Sequence, residues 1–195
     1  MKDVKKIDLA IFDMDGTIFT SNINWKDVKK RLNVEGTSIL EKIYNGKTID
    51  KKALKYLEEI EEKNTIESEP IPGLLDFINE IAKRGIKTSL VTNNSRKNAE
   101  FLLEKHGFQF DTLITRDENM WKPSPIAFKY LMSKFKISPE NTITIGDSDF
   151  DVSASIKANI SDVYIIDSAV IRGKYPVDIK YFRDYQDLSS IIFGS

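Results

Sequence analysis

Four acids and one lysine, gathered at the ends of apolar runs, are the residues of this chain best placed to do chemistry. The run from Ile7 to Thr17 reads as a buried strand, with Leu9, Ala10, Ile11 and Phe12 continuously apolar, that ends by presenting Asp13 and Asp15. Successive strand side chains alternate faces, so two acids two positions apart start on the same side. Gly16 removes a Cβ where another backbone or a ligand must come close. A strand end carrying two adjacent carboxylates suits a metal ion and a phosphoryl group.

Further along, Thr142-Ile143-Thr144-Ile145 runs into Gly146-Asp147-Ser148-Asp149-Phe150-Asp151, a glycine turn with Asp147 and Asp151 four apart. Once a helix starts, that spacing puts both on one side. A calcium loop of the EF-hand type is excluded, because its turn glycine and bidentate Glu positions hold Val152 and Ala158. After Ser89-Leu90-Val91 come Thr92, Asn93 and Asn94, a hydroxyl and two amides that partner phosphate or carboxylate well. Lys122 sits in Trp121-Lys122-Pro123-Ser124-Pro125, where two prolines fix the backbone and start a helix.

The elements that must position these residues alternate. Short β-rich runs at Leu9–Phe12, Ile86–Val91, Thr112–Ile114, Thr142–Ile145 and Val163–Ile166 are separated by amphipathic segments. The segments include Leu74–Lys83, Arg96–His106, Pro125–Phe135 and Phe150–Lys157, with one more short strand and a helix, Tyr185 to Phe193, after Pro176. Pro72-Gly73 and Gly85 punctuate the first helix, and Gly107 closes the next as a C′ residue. Such alternation implies right-handed βαβ units and a parallel sheet, with ligands at the carboxyl ends of the strands. Residues 18–69 break the pattern. Trp25–Leu32, Ile39–Tyr44 and Ala53–Glu62 read as helices with no strand between them, too long a stretch for a loop. They predict a small helical insertion that enters near Ile18 and leaves near Pro70.

Composition narrows the function. The 195 residues fit one core domain with a modest insertion. With 29 basic and 30 acidic residues the net charge is −1, so no global field favours nucleic acid or an anionic membrane. The absence of cysteine excludes disulfides, thiolate metal sites and thiol catalysis. No apolar leader occupies Met1 to Lys6 and no apolar run approaches the ~20 residues of a membrane span, so a cytoplasmic protein without a membrane partner is expected. The Lys/Glu surface argues against a large apolar interface, hence a monomer or weak homodimer.

Taken in order, these motifs resemble the haloacid dehalogenase-like superfamily of phosphohydrolases over nearly the whole chain, in particular its phosphoglycolate phosphatase-like branch. Asp13-Met14-Asp15-Gly16-Thr17 is similar to its first motif and Val91-Thr92-Asn93 to its second. Lys122-Pro123 is similar to the third, and Gly146-Asp147 to Asp151 to the fourth. The resemblance implies an α/β fold: a Rossmann-like three-layer α/β/α core with a parallel sheet, residues 1–17 and 70–195, and a small all-α cap, residues 18–69.

The same resemblance implies roles. Asp13 is the nucleophile and forms an aspartyl-phosphate; Asp15 is the acid and later the base; Lys122 and Thr92 hold the phosphoryl oxygens. Asn93 assists substrate binding through backbone or neighbouring contacts. The cofactor is Mg²⁺, held by Asp13 and Asp147, by Asp15 through its carbonyl, and by Asp151 directly or through its waters. An acid at Asp15 favours phosphoester chemistry over the dehalogenases and phosphonatases of the family. The substrate is then a small phosphoester such as phosphoglycolate, a sugar phosphate or a nucleotide. Two alternatives remain: a sugar phosphomutase of the same fold, which with this cap carries a His absent from residues 18–30, and a non-catalytic phospho-ligand module. His106, the single histidine, reads as an ordinary helix-end residue. From the cap, Trp25, Lys26, Lys29, Arg31, Tyr44 and Lys47 are within sequence reach of the leaving group, with a solvated or core role the alternative for each. The stretch from Ser168 to Tyr175 has no assigned role, and Arg172-Gly173-Lys174 within it reads as solvated surface rather than a loop near the site.

Overall fold

A computed structural model of the chain describes residues 6–34, 38–44, 48–166, 171 and 173–194. Its centre is a six-stranded, all-parallel sheet in the order β3-β2-β1-β4-β5-β6. The strands are β1 (Leu9–Phe12), β2 (Lys87–Val91), β3 (Thr112–Ile114), β4 (Thr142–Gly146), β5 (Asp162–Ile166) and β6 (Ile179–Phe182). The expected parallel α/β architecture is what the chain adopts.

Alternation along β1 explains why the strand is continuously apolar. Ala10 and Phe12 enter one core with α4 (Leu74–Lys83), α5 (Arg96–His106) and α8 (Tyr185–Phe193). Leu9 and Ile11 enter the other with α6 (Ile126–Phe135) and α7 (Asp149–Lys157). A strand covered on both faces has no polar side to show, and all four residues are wholly buried. Because the chain moves outward from β1 in one direction and then from β4 in the other, the two strands flank the switch point, whose carboxyl-end side is where sheets of this kind bind ligands. Leu9 pairs with Thr142 and Phe12 with Ile145, which brings the residues just after each strand side by side.

Between β1 and α4 come α1 (Trp25–Arg31), α2 (Ile39–Ile43) and α3 (Lys51–Glu67), with their own apolar cluster of Val28, Val34, Ile39, Leu40, Ile43, Ala53 and Leu57. The insert joins the sheet-bearing part through two antiparallel stretches. Ile71 N–H donates to the Ile18 carbonyl at 2.9 Å, and Thr20 N–H to the Glu69 carbonyl at 2.8 Å. Helix α3 runs to Glu67, beyond the Glu62 limit expected from periodicity. Its last turns bury polar residues: the Asn64 carboxamide accepts from Asn22 N–H at 2.8 Å and donates to Ser68 Oγ at 3.2 Å. Hydrogen bonding to the entering strand, not an apolar stripe, extends the helix.

Candidate active site

The loop after β1 is built to hold two carboxylates still. Asp13 N–H donates to Ile145 O at 2.9 Å, extending the ladder with β4 one residue past the strand. The Met14 carbonyl accepts from Thr17, Ile18 and Phe19, and the buried Tyr185 hydroxyl donates to the Thr17 carbonyl at 3.0 Å. Gly16 turns the chain with φ of +82°, and a Cβ there would run into the Asp147 carboxylate. Glycine is needed at that point both for the left-handed backbone and for the close approach of the neighbouring strand's acid.

Lys122 reaches the same place from the far side of β2. The Asn93 carboxamide clamps its backbone at both ends: Lys122 N–H donates to Asn93 Oδ1 at 2.8 Å and Asn93 Nδ2 to Lys122 O at 2.9 Å. The preceding turn, Arg116–Glu118, is braced by Glu118, which accepts from Thr115 N–H at 2.6 Å and from Arg96 Nη2 at 2.7 Å. The buried Lys122 ammonium then donates to Asp13 Oδ1, and to Asp151 Oδ1 at 2.6 Å. The other Asp151 oxygen accepts from Ser148 N–H at 3.0 Å and Ser148 Oγ at 2.6 Å.

Asp13, Asp147 and Asp151 offer oxygens within 4.8 Å of one another, the one such acidic group among the described residues. Fully ionised, three carboxylates against one ammonium give an excess of two negative charges in a largely buried site, which favours proton uptake by the acids. Burial, with the charge of Asp151 and against the pull of Lys122, pushes the Asp13 carboxyl up to about 7. Burial and the charges of Asp13 and Asp151 hold Asp147 well above the carboxylate range. Burial opposes the charge on Lys122, yet Asp13 and Asp151 keep its ammonium more firmly protonated than an ordinary lysine. An all-oxygen, doubly negative donor set fits a hard divalent cation of the Mg²⁺ type.

Asp15 stands apart from that group. Its Oδ2 accepts from Asn94 Nδ2 at 3.0 Å, and its Oδ1 is buried without a hydrogen-bond partner. Burial raises its pKa, against the Asn94 bond and the charges of Lys122 and Arg116. The buried Thr92 hydroxyl accepts from Asn94 N–H at 3.0 Å, which leaves its proton free to donate. The structure thus brings Asp13, Asp147, Asp151 and Lys122 into contact, and ties Asp15 and Thr92 to Asn94. Asn93 spends one amide proton and one oxygen lone pair on the Lys122 backbone, which leaves its carboxamide one further donor.

Sequence reading overlooked Arg116 and Glu61. Arg116 is 1% exposed, directly beyond β3, and its Nη1 donates to Glu61 Oε2 on α3 at 2.6 Å. Burial pushes Glu61 up to about 8, against the attraction of Arg116. The strand-end logic that found Thr92 applies equally to Arg116, two residues past Ile114. Of the cap candidates, Tyr44 stacks on Trp121 with ring centroids 5.1 Å apart, and Lys29 lies over the Phe150 ring at 5.6 Å. Arg31 lies over Tyr56 within the insert, Trp25 and Lys26 are exposed, and Lys47 is outside the described residues. His106 ends α5 with its ring against Phe19. Of the stretch from Ser168 to Tyr175, residues 168–170 and 172 lie outside the described residues, and Gly173 and Lys174 are exposed as expected. Gly173 N–H and the Tyr175 hydroxyl also reach the acidic loop, donating to Asp149 Oδ1 at 2.9 and 2.8 Å.

A doubly wound parallel sheet with three acids and a lysine at its switch point defines an α/β protein equipped to handle an anionic group and a cation. The family model described as haloacid dehalogenase-like hydrolase matches residues 19–165, and the chain belongs to that family. The matched span starts after Asp15, so the placement of Asp13 and Asp15 stands on the geometry. Pyrophosphatase PpaX of Oceanobacillus iheyensis is 26% identical over 95% of this chain and 96% of its own length. A phosphoglycolate phosphatase of Vibrio vulnificus is 32% identical over 45% of this chain and 40% of its own length. Among solved structures, the HAD phosphatase from Thermococcus onnurineus superposes with a TM-score of 0.69 at 22% identity, covering 97% of this chain and 99% of that one. No helix among the described residues is long and apolar enough to cross a membrane.

Proposed function

We propose that the protein is a Mg²⁺-dependent phosphatase that hydrolyses a small phosphate monoester through a phosphorylated Asp13, with residues 18–69 acting as its cap. The observation that carries this reading is the Lys122 ammonium bridging Asp13 and Asp151 beside Asp147, at the adjoining ends of β1 and β4. When bound by Asp13, Asp147, Asp151 and the Asp15 carbonyl, Mg²⁺ supplies the positive charge that lets an anionic phosphoryl group approach a carboxylate.

The remaining work falls to the chain. Lys122 holds phosphoryl oxygens as a point charge, and Thr92 donates its hydroxyl proton to another. Asp13 attacks phosphorus, and the bond to the leaving oxygen breaks with its electron pair. Asp15, whose hold on a proton burial strengthens, delivers a proton to it through the oxygen that has no partner in the free protein. The carboxylate so formed takes a proton from water, which attacks phosphorus and frees Asp13. Asn94 fixes Asp15 in the required direction, and Asn93 fixes Lys122. The insert excludes bulk water while this happens.

Phosphate release from p-nitrophenyl phosphate, phosphoglycolate, pyrophosphate and a panel of sugar phosphates tests the reading. Turnover that needs Mg²⁺ and vanishes in EDTA is expected. Turnover that persists in EDTA, or isomerised product from a hexose 1-phosphate primed with a bisphosphate, overturns it.

A further inference from the structure

Arg116 is a buried cation that its surroundings satisfy only in part. Nη1 donates to Glu61 Oε2 at 2.6 Å and to the Asn93 carbonyl at 3.4 Å. Nη2 is buried with no hydrogen-bond partner, and the Glu58 carboxylate stands off at 3.9 Å. A guanidinium presents two parallel N–H groups that match the two oxygens of a carboxylate or phosphate. Glu61 engages one of its arms, so half of a bidentate site is left unmade in a place where an orphaned donor is costly.

Its position is as informative as its incompleteness. Arg116 N–H donates to the Asn94 carbonyl at 3.2 Å, and Asn94 is the residue that carries Asp15. Through Asn93, whose carbonyl Nη1 reaches, it neighbours the clamp on Lys122. The guanidinium therefore lies on the Asp15 side of the site, where the leaving group departs, and faces the insert through Glu61. Tyr44 of the insert and Trp121 stack close by, and the charge of Arg116 acts on Tyr44 as it does on Asp15.

We propose that Arg116 is a subsite for a second anionic oxygen group on the substrate, a carboxylate or phosphate carried by the leaving group. Glu61 is the internal carboxylate that occupies the guanidinium until that group arrives. Binding exchanges one counterion for another: the substrate anion takes both arms of Arg116, and Glu61 withdraws with α3. The substrate class is thus a small phosphoester with a second negative charge within a few bonds of the ester oxygen. The subsite rests on the phosphatase reading only in taking that anion to be part of a leaving group.

The test separates the two readings by measuring both turnover and binding. Turnover compares ethylene glycol monophosphate, phosphoglycolate and ethylene glycol bisphosphate, which put a hydroxyl, a carboxylate and a phosphate at nearly the same reach. Wild type is expected to favour at least one anionic compound over the hydroxyl compound by about tenfold or more in kcat/KM, and the favoured one identifies the anion. Binding compares 3-phosphonopropionate with 3-hydroxypropylphosphonate by calorimetry, which needs no hydrolysis. Arg116→Gln leaves Glu61 buried without its cation, so the double variant Arg116→Gln/Glu61→Gln, which retains neither charge, is measured beside it. Both should lose the preference. Glu61→Gln alone should tighten 3-phosphonopropionate several-fold, an effect in the opposite direction that a merely structural ion pair does not produce. Equal kcat/KM for all three phosphoesters in wild type, a preference that survives in the double variant, or weaker binding in Glu61→Gln overturns the subsite. Absence of hydrolysis alongside an Arg116-dependent binding preference instead removes the phosphatase reading and leaves the subsite standing.

Discussion

Replacing Asp13 by Asn is expected to abolish turnover while making the metal-free protein more stable. Asp13 is a carboxyl whose pKa burial raises from 3.8 to about 7, so the folded protein binds its proton more tightly than the unfolded chain does. The sign follows. Stability falls as pH climbs from about 4 towards 7, and above that the full cost of a buried, ionised Asp13 is present. At about 1.4 kcal/mol per pH unit, a shift of this size sets a ceiling of about 4 kcal/mol at pH 8. Asn is neutral but lacks the hydroxyl of a protonated carboxyl, so roughly half of the ceiling, about 2 kcal/mol, is the expected gain. For a chain of this length that raises Tm by about 4–8 °C. Thermal unfolding in EDTA at pH 8 and at pH 5 measures it, with phosphatase assays in Mg²⁺ alongside. The gain should be near zero at pH 5, where wild-type Asp13 already carries its proton, and Mg²⁺ should stabilise wild type more than the variant. A variant less stable than wild type at pH 8 in EDTA, or one equally stabilised at both pH values, refutes the reasoning about excess negative charge. Retention of wild-type turnover refutes the nucleophile.

Lys122→Met removes the one cation among three carboxylates and leaves Asp13 and Asp151 buried without it. Urea unfolding should show a loss of about 3–5 kcal/mol in EDTA, partly restored by adding Asp151→Asn, and turnover should vanish in either background. Gly16→Ala forces a left-handed backbone on a residue with a Cβ, at a cost of about 1–2 kcal/mol, and drives that Cβ against the Asp147 carboxylate. Calorimetric titration with Mg²⁺ should show weaker binding, and unaltered affinity would mean that Asp147 does not contribute to the metal site.

The sheet was legible because its strands are short apolar runs bounded by glycine, proline and acids. The bounds of β3, α4, α5 and α8 coincide with those read from periodicity and end signals, and the strand-end rule located the acids. What was not legible depends on contacts distant in sequence. The last turns of α3 are held by Asn64 bonding back to Asn22, a pairing that leaves no periodic trace. Tyr175 has no role in the sequence until its hydroxyl is seen on Asp149. Of the two amides after β2 the sequence assigns a role to Asn93 alone, as a substrate contact, yet Asn93 clamps Lys122 and Asn94 carries Asp15. Arg116 and Glu61, 55 residues apart, carry no sequence mark that sets them off from the 30% of the chain that is charged. Only the fold makes them a buried pair.

Two ionic clusters of different make-up therefore flank Asp15, which feels the charges of both Lys122 and Arg116. On the Asp13 side three carboxylates outnumber one ammonium, a donor set that suits the divalent cation of the proposed reaction. On the Asp15 side Arg116 and Glu61 are paired one to one, so acids do not outnumber the cation in that pair, and one donor of the guanidinium is unmade. Between them Asn94 and Asn93 transmit position without charge, each using its carboxamide on one side and its carbonyl on the other. Uncharged linkers let the two halves be tuned separately. A change in leaving-group chemistry can be met at Arg116 and Glu61 while the charge around Asp13, on which phosphoryl transfer depends, stays as it is.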